Sequence, residues 1–239
     1  MSGHAIPHTT DVKPVLVVAA LEEEAHELVR RMPRSENVGP RLAIWEGDGL
    51  VVIVGGVGKV AASMATQYAC DVFKPRAAVA IGLAGALEDG VRPGQLVVAS
   101  GAVQHDLDGR PLTEAKGVIP GLGIAIISSD PAATEKVLTS ARLESRDARS
   151  GLVLTGDQIV TSRGMRDALR GEFPDAACLD METAAFAQVA HQNGLPWTAL
   201  RVISDSADDS FDLRRVMGLG VSTAAQLFES IIQTVAGDL

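Results

Sequence analysis

The sequence has few cysteines, no basic block and no long apolar run, and each shortage narrows what the chain can be. Its two cysteines, Cys70 and Cys178, fall in an apolar helical pattern and an apolar run without metal-type spacing. Reduced, buried thiols are the expectation, which favours the cytoplasm. Lys and Arg number 21 against 30 Asp and Glu, a formal net charge of -9. With no Lys/Arg-rich stretch, neither a nucleic-acid backbone nor an anionic membrane surface is an expected partner. No apolar stretch reaches the ~18 residues of a membrane span. The opening "MSGHAIPHTTDVK" lacks the apolar core of a secretory signal. Residues 1–13 read as a flexible tail, with His4 and His8 as tail residues rather than ligands. Small-molecule chemistry is left as the expectation.

Two nucleotide motifs are also missing. "VGGVGKVAAS", 54–63, sets glycines and a lysine between an apolar run and a helical pattern, but Ile53 stands where a Walker A loop needs glycine and Val60 where it needs a hydroxyl. Gly56, Gly58 and then Ala61 leave out the third glycine of a dinucleotide fingerprint. The glycines read as a tight turn from strand to helix with close backbone packing.

What is present is a 239-residue chain, 46% apolar, in which short apolar runs alternate with helix-period segments. That alternation predicts an α/β fold with a largely parallel sheet. Strands are expected at 15–20, 42–46, 50–54, 77–81, 95–103, 152–155, 176–179 and 198–203. Helices are expected at 22–32, 59–73, 131–141, 163–171, 181–193 and within 214–235. The connection 104–123 is rich in Gly and Pro and fits no period, and a loop of that length in a compact domain is often functional. No linker divides the chain.

Carboxylates recur where these strands end. "PVLVVAALEEEAHEL", 14–28, closes an apolar run with Glu22, Glu23 and Glu24. Glutamates suit a first helical turn, whose free N–H groups favour negative charge by about 0.3–1 kcal/mol each. With Ala25, Leu28, Val29 and Met32 as the core stripe, Glu23 points away from it while Glu22 and Glu24 flank it. In "CLDMETAAFAQVAH", 178–191, Asp180 resembles a helix N-cap and Glu182 follows it. A carboxylate fixed there can also grip two adjacent sugar hydroxyls. "LRVISDSADD", 200–209, ends its apolar run in Ser204 and Asp205, and that aspartate suits either a cap or a proton donor. "AIGLAGAL", 80–87, puts Gly82 and Gly85 at a strand exit, where open α/β sheets hold ligands. Glu24, Glu182 and Asp205 each follow a strand of one sheet, so their carboxylates are expected to share a crevice.

Taken in order, "VVAALEEEAHEL", "VGGVGKVAAS", "GLAGALEDGVRPGQLVVAS", "HDLDGRPL", "LTGDQIV", "LDMETAAFAQVAHQNGLPW" and "RVISDSAD" resemble the nucleoside phosphorylase superfamily, nearest in pattern to its 5'-methylthioadenosine/S-adenosylhomocysteine nucleosidases. The resemblance implies a single α/β domain over 14–239 with a mixed, partly barrel-like central sheet flanked by helices, and a homodimer. It makes Glu24 the base that activates water and Asp205, with Ser204 beside it, the acid that protonates the purine at N7. It makes Glu182 the ligand of the ribose 2'- and 3'-hydroxyls, with Met181 packed on the sugar. Backbone groups around Ala84, Gly85 and Val160 would line the base and the water, and no metal or organic cofactor is implied.

A phosphorylase of this superfamily binds an anion and generally carries arginines in its N-terminal loop and before its central glycine loop. Here the first position is "ALEEE" and "VAIGLAGAL" has no cation, which favours water over phosphate as nucleophile. Ile159 stands where these nucleosidases commonly place a phenylalanine against adenine, and Leu83 where they place a small polar residue. A more aliphatic pocket keeps futalosine or an adenosyl-hopanoid open as substrate beside methylthioadenosine and S-adenosylhomocysteine. Phosphorolysis and a non-enzymatic nucleoside-binding module are the other readings, the last of which would be expected to lose Glu24 or Asp205. Phe211 and Phe228 fit equally a 5' pocket and the core.

Overall fold

The computed structural model describes residues 13–35 and 42–239, so the tail, with His4 and His8, lies outside the described residues except for Lys13. Strands β1 (Val15–Ala19) and β3 (Leu50–Val54) are buried at every position, which is why their sequences are apolar without alternation. β2 (Ala43–Gly47) pairs antiparallel with β3 through a two-residue turn. Asp48 and Gly49 in that turn have φ of 51° and 76°, the left-handed pair that a type I′ turn demands. The remaining strands are β4 (Ala77–Ala86), β5 (Leu96–Gln104), β6 (Ile127–Ser128), β7 (Arg149–Thr155), β8 (Ala176–Asp180) and β9 (Trp197–Asp205).

The strand order is β2-β3-β1-β4-β8-β7-β5-β6, and β9 pairs with both β4 and β5. β4, β8, β7, β5 and β9 therefore close on themselves into a barrel-like ring, while β1, β3 and β2 extend it as an open wing. β1 is parallel to β3 and β4, and β4 to β9, whereas β4 with β8 and β5 with β9 are antiparallel. The sheet is thus mixed. Parallel β1, β4 and β9 bring their carboxyl ends out together, the place where such sheets hold ligands.

Helices cover both faces. α2 (Lys59–Val72) and α5 (Thr183–Gln192) lie over one face, where Phe186 meets Trp197 edge to face. α1 (Glu22–Val29), α3 (Pro131–Glu144) and α7 (Val221–Val235) lie over the other. α4 (Arg163–Glu172) contributes Leu169 to a smaller cluster with Leu87, Leu154 and Leu179. α6 (Leu213–Arg215) leads through a π-helical turn, Val216–Gly220, into α7. Both cysteines are free, Cys178 buried and Cys70 half-buried, and burial pushes both thiols up in pKa. Among the described residues no helix is long and apolar enough to cross a membrane.

The strand expected at 77–81 continues to Ala86, so Gly82 and Gly85 sit within it rather than at its exit. The continuation follows β9, bulges between Ala84 and Gly85, and then meets β8. The pairing satisfies the backbone whatever the local glycine content. β6 was not expected, since two residues carry no period. α1 stops at Val29 and α5 starts at Thr183, each shorter than its periodic stretch. The turn at 54–58 is tight as expected: a Cβ on Gly55 would lie 2.8 Å from that of Ala65, and Gly56 and Gly58 have φ of 100° and 97°.

Phe228 is fully buried on α7 beneath the sheet, so its place is the core. Phe228→Ala is expected to lower the unfolding free energy by about 3–5 kcal/mol in urea denaturation. A loss below about 1 kcal/mol would show that α7 does not carry that face.

Candidate active site

The three opening glutamates take different places. Glu22 and Glu23 are exposed, while Glu24 is 4% exposed beside Ala25 at the edge of the core stripe. Its Oε2 accepts from the N–H groups of Ala20 at 3.1 Å and Leu21 at 3.0 Å, and Oε1 accepts from Leu83 N–H at 3.1 Å. The carboxylate thus bridges the end of β1 to β4. Burial raises its pKa above the ordinary glutamate value, opposed by these N–H groups and by the charge of Arg201.

Arg201 is on β9, 1% exposed, within an otherwise apolar run. Its Nε lies 2.9 Å from Asp180 Oδ2, and Nε and Nη2 donate to Thr183 Oγ1 at 3.0 and 2.7 Å. The guanidinium fits because residue 82 is glycine: a Cβ there would overlap Nη1 and stand 3.1 Å from Glu24 Oε1. Gly82 therefore seats a side chain of its own protein, which corrects its reading as a ligand approach. Asp180 does take first-turn N–H groups of α5, from Glu182 at 3.3 Å and Thr183 at 3.2 Å, as a cap would. It also accepts from Thr155 Oγ1 at 2.6 Å and from the Thr183 hydroxyl. Its larger part is that of counter-ion.

Glu182 stands at the start of α5 without capping it, and its Oε1 accepts from Gly58 N–H at 2.8 Å. Burial first and the Asp180 charge next raise its pKa to about 7, against Arg201 and Gly58 N–H. The proton is bound more tightly folded than unfolded. Ionising Glu182 therefore costs no stability below the ordinary value of 4.5, and the cost grows as pH rises toward about 7. Asp205 closes β9: Oδ2 accepts from Ser204 Oγ at 2.6 Å and Oδ1 from Ala207 N–H at 2.8 Å. Residue 85 lacks a side chain opposite it, since a Cβ would lie 3.2 Å from Oδ1.

These groups surround one cavity of about 290 Å³. Glu24, Met181, Glu182, Ser204 and Asp205 all line it, as do Ala84, Gly85, Ile159 and Val160. Every site residue expected from the sequence is thereby brought to one place. Leu83 lines it too, and so does Phe211, which settles that residue on the cavity side. Among the described residues lining it there is no lysine, arginine or histidine. Sequence reasoning missed Arg201, Thr183 and the ion-pairing of Asp180, and also Gln158, Leu213, Val216 and Met217 along the wall. A lone arginine inside a strand of apolar residues was the available sign, because a buried charge requires a partner. No comparable pattern marks Met217 or Val216.

A closed mixed sheet with acids at three strand ends defines a class, and comparison with known proteins supplies its name. The family model described as "Phosphorylase superfamily" matches residues 14–233, and the chain belongs to that superfamily. It is 32% identical over 225 residues to a 5'-methylthioadenosine/S-adenosylhomocysteine nucleosidase of Geobacillus kaustophilus, covering 92% of this chain and 90% of the relative. The crystal structure of the nucleosidase of that name from Neisseria meningitidis, in complex with methylthio-immucillin-A, matches with a TM-score of 0.86 and 28% identity, covering 95% of this chain and 100% of the other. The futalosine hydrolase of Helicobacter pylori strain 26695 matches with a TM-score of 0.84 and 25% identity, covering 92% and 97%. Within the superfamily the chain is a member of the 5'-methylthioadenosine/S-adenosylhomocysteine nucleosidase family, a family of hydrolases.

Removing Arg201 leaves Asp180 buried without its counter-charge. Arg201→Met is expected to cost about 3–5 kcal/mol of unfolding free energy in urea. A stability equal to the parent's would mean that the pair contributes nothing net.

Proposed function

We propose that residues 14–239 act as one nucleoside phosphorylase-like domain that hydrolyses the N-glycosidic bond of a 5'-substituted adenosine, methylthioadenosine or S-adenosylhomocysteine. The observation that carries this reading is the convergence of Glu24, Glu182 and Asp205 on a cavity without a lining cation. Water attacks C1' of the ribose and gives its proton to Glu24, whose raised pKa suits a base. The C1'–N9 bond breaks, and its electrons pass into the purine, which takes a proton at N7 from Asp205. The products are adenine and the 5-substituted ribose. Glu182 accepts hydrogen bonds from the 2'- and 3'-hydroxyls, each worth about 1.5–3 kcal/mol to a charged acceptor. The oxocarbenium-like sugar is stabilised by the same carboxylates. Met181 packs on the sugar, Ser204 orients Asp205, and the backbone at Ala84, Gly85 and Val160 lies along the base and the water.

Phosphate would meet four carboxylates, since Asp180 also lines the cavity, and no lining cation, because Arg201 stands behind the wall, paired with Asp180. Water is favoured on charge alone. The aliphatic Leu83 and Ile159, with Phe211, Leu213 and Met217, make much of the cavity wall apolar, which suits an adenosine carrying a 5' thioether. The likeness to a futalosine hydrolase and the 55% exposure of Ile159 favour a second reading, in which futalosine or an adenosyl-hopanoid is the substrate. A binding module without turnover has no need of both Glu24 and Asp205. A second copy of the chain is the proposed partner, supported by Val57, Val60 and Met64, which are 52%, 81% and 41% exposed at the start of α2.

The test is a product assay on methylthioadenosine, S-adenosylhomocysteine, adenosine, inosine and futalosine, each with and without phosphate. Adenine and a free reducing sugar, formed without phosphate, are expected. Phosphate-dependent sugar 1-phosphate would identify a phosphorylase. Glu24→Gln and Asp205→Asn are each expected to lower kcat by about 10²–10⁴-fold while the variants remain folded at the assay temperature. Turnover near the parent's in either variant removes that residue from its role. Because burial pushes the pKa of Glu182 up to about 7, kcat/KM is expected to fall as pH drops below that value. A profile flat from acid to neutral pH would contradict its ionised role.

A further inference from the structure

The β5–β7 parallel ladder pairs Gln104 with Thr155, and the two residues that follow each strand stay bonded across beyond the strand ends. His105 N–H donates to Thr155 C=O at 3.0 Å, and the buried His105 ring covers Gly156 so closely that any Cβ there would overlap it. Asp106 holds the next residue: its Oδ2 accepts from Asp157 N–H at 2.9 Å. Its Oδ1 accepts from Lys59 Nζ at 2.7 Å. Lys59 N–H in turn donates to Asp157 Oδ1 at 2.8 Å, and the neighbouring Gly58 N–H donates to Glu182 at 2.8 Å. The first residues of α2 are therefore tied to the loop after β7 and to the carboxylate of α5 by one connected set of bonds.

Both tied segments reach the cavity. The loop after β7 carries Gln158, Ile159 and Val160, and Gly58 N–H fixes the rotamer of Glu182. We infer that the Lys59–Asp106 pair is a clamp that holds these two walls of the site in register, and that both are positioning residues for nucleoside binding. The inference rests on the functional reading above. An ion pair whose side chains keep 19% and 27% of their exposure contributes little to global stability. A small displacement of a binding wall, by contrast, is costly to catalysis. Glu24 and Asp205 are held by bonds of their own to β1, β4 and β9, outside this set.

The test compares Asp106→Ala, Asp106→Asn, Lys59→Met and Lys59→Arg with the parent, using methylthioadenosine hydrolysis, calorimetric binding of adenine and thermal unfolding. Asp106→Ala and Lys59→Met are expected to raise KM by about 10–100-fold, with a smaller change in kcat and an unchanged melting temperature. Lys59→Arg keeps the ion pair and is expected to restore KM. Asp106→Asn, which retains an acceptor for Asp157 N–H, is expected to fall between. KM within about two-fold of the parent in Lys59→Met overturns the clamp, as does a loss confined to kcat or one that follows a lowered melting temperature. A parent that cleaves normally while the variants are unchanged refutes the clamp alone. A parent that neither cleaves the nucleoside nor binds adenine refutes the functional reading, and the positioning role falls with it.

Discussion

The buried guanidinium of Arg201 is the constraint around which the site is arranged. Taking an arginine out of water costs several kcal/mol unless its charge and its donors are met. Here Asp180 meets the charge, and Thr183 accepts from Nε and Nη2. That requirement fixes more than a pair. Asp180 also holds Thr155 on β7 and the first N–H groups of α5, so β7, β8, β9 and α5 converge on one carboxylate. Space for the guanidinium exists only where β4 has Gly82, and the same step in β4 turns Leu83 N–H toward Glu24. A cation out of reach of solvent lets several carboxylates stand near one another without a cation in the cavity itself.

The ring of five strands supplies the geometry for this. Open sheets present their strand ends along a line, whereas a closed ring brings β4, β8 and β9 around a common mouth. The wing strand β1 adds Glu24 from the side, because β1 is the parallel neighbour of β4. Ionising Glu182 is costly, since burial and Asp180 both oppose it. Carboxylates whose ionisation the fold opposes cluster at functional sites.

Much of this was legible from periodicity. β1, β3 and α2 were readable because continuous apolar runs and a helical stripe have one physical interpretation each when flanked by turn residues. Glu24, Glu182 and Asp205 were readable as strand-end acids, and the resemblance carried by "LDMETAAF" and "RVISDSAD" supplied their expected roles. The extension of β4 through two glycines was not readable, because partner strands rather than local preference stabilise it. Phe211 and Phe228 looked alike in sequence and separated only in space, one on the cavity and one in the core.

The sequence by itself determined the α/β class, the family and which acids end which strands, because those properties are written in local patterns of polarity and in ordered motifs. Tertiary structure alone decided what each acid meets. Asp180 reads as a cap and proves to be a counter-ion, because its partner on β9 lies 21 residues further along the chain. Gly82 reads as a ligand approach and proves to be the seat of that partner. Whether a buried polar group is satisfied depends on neighbours contributed by distant segments, and no local pattern contains them.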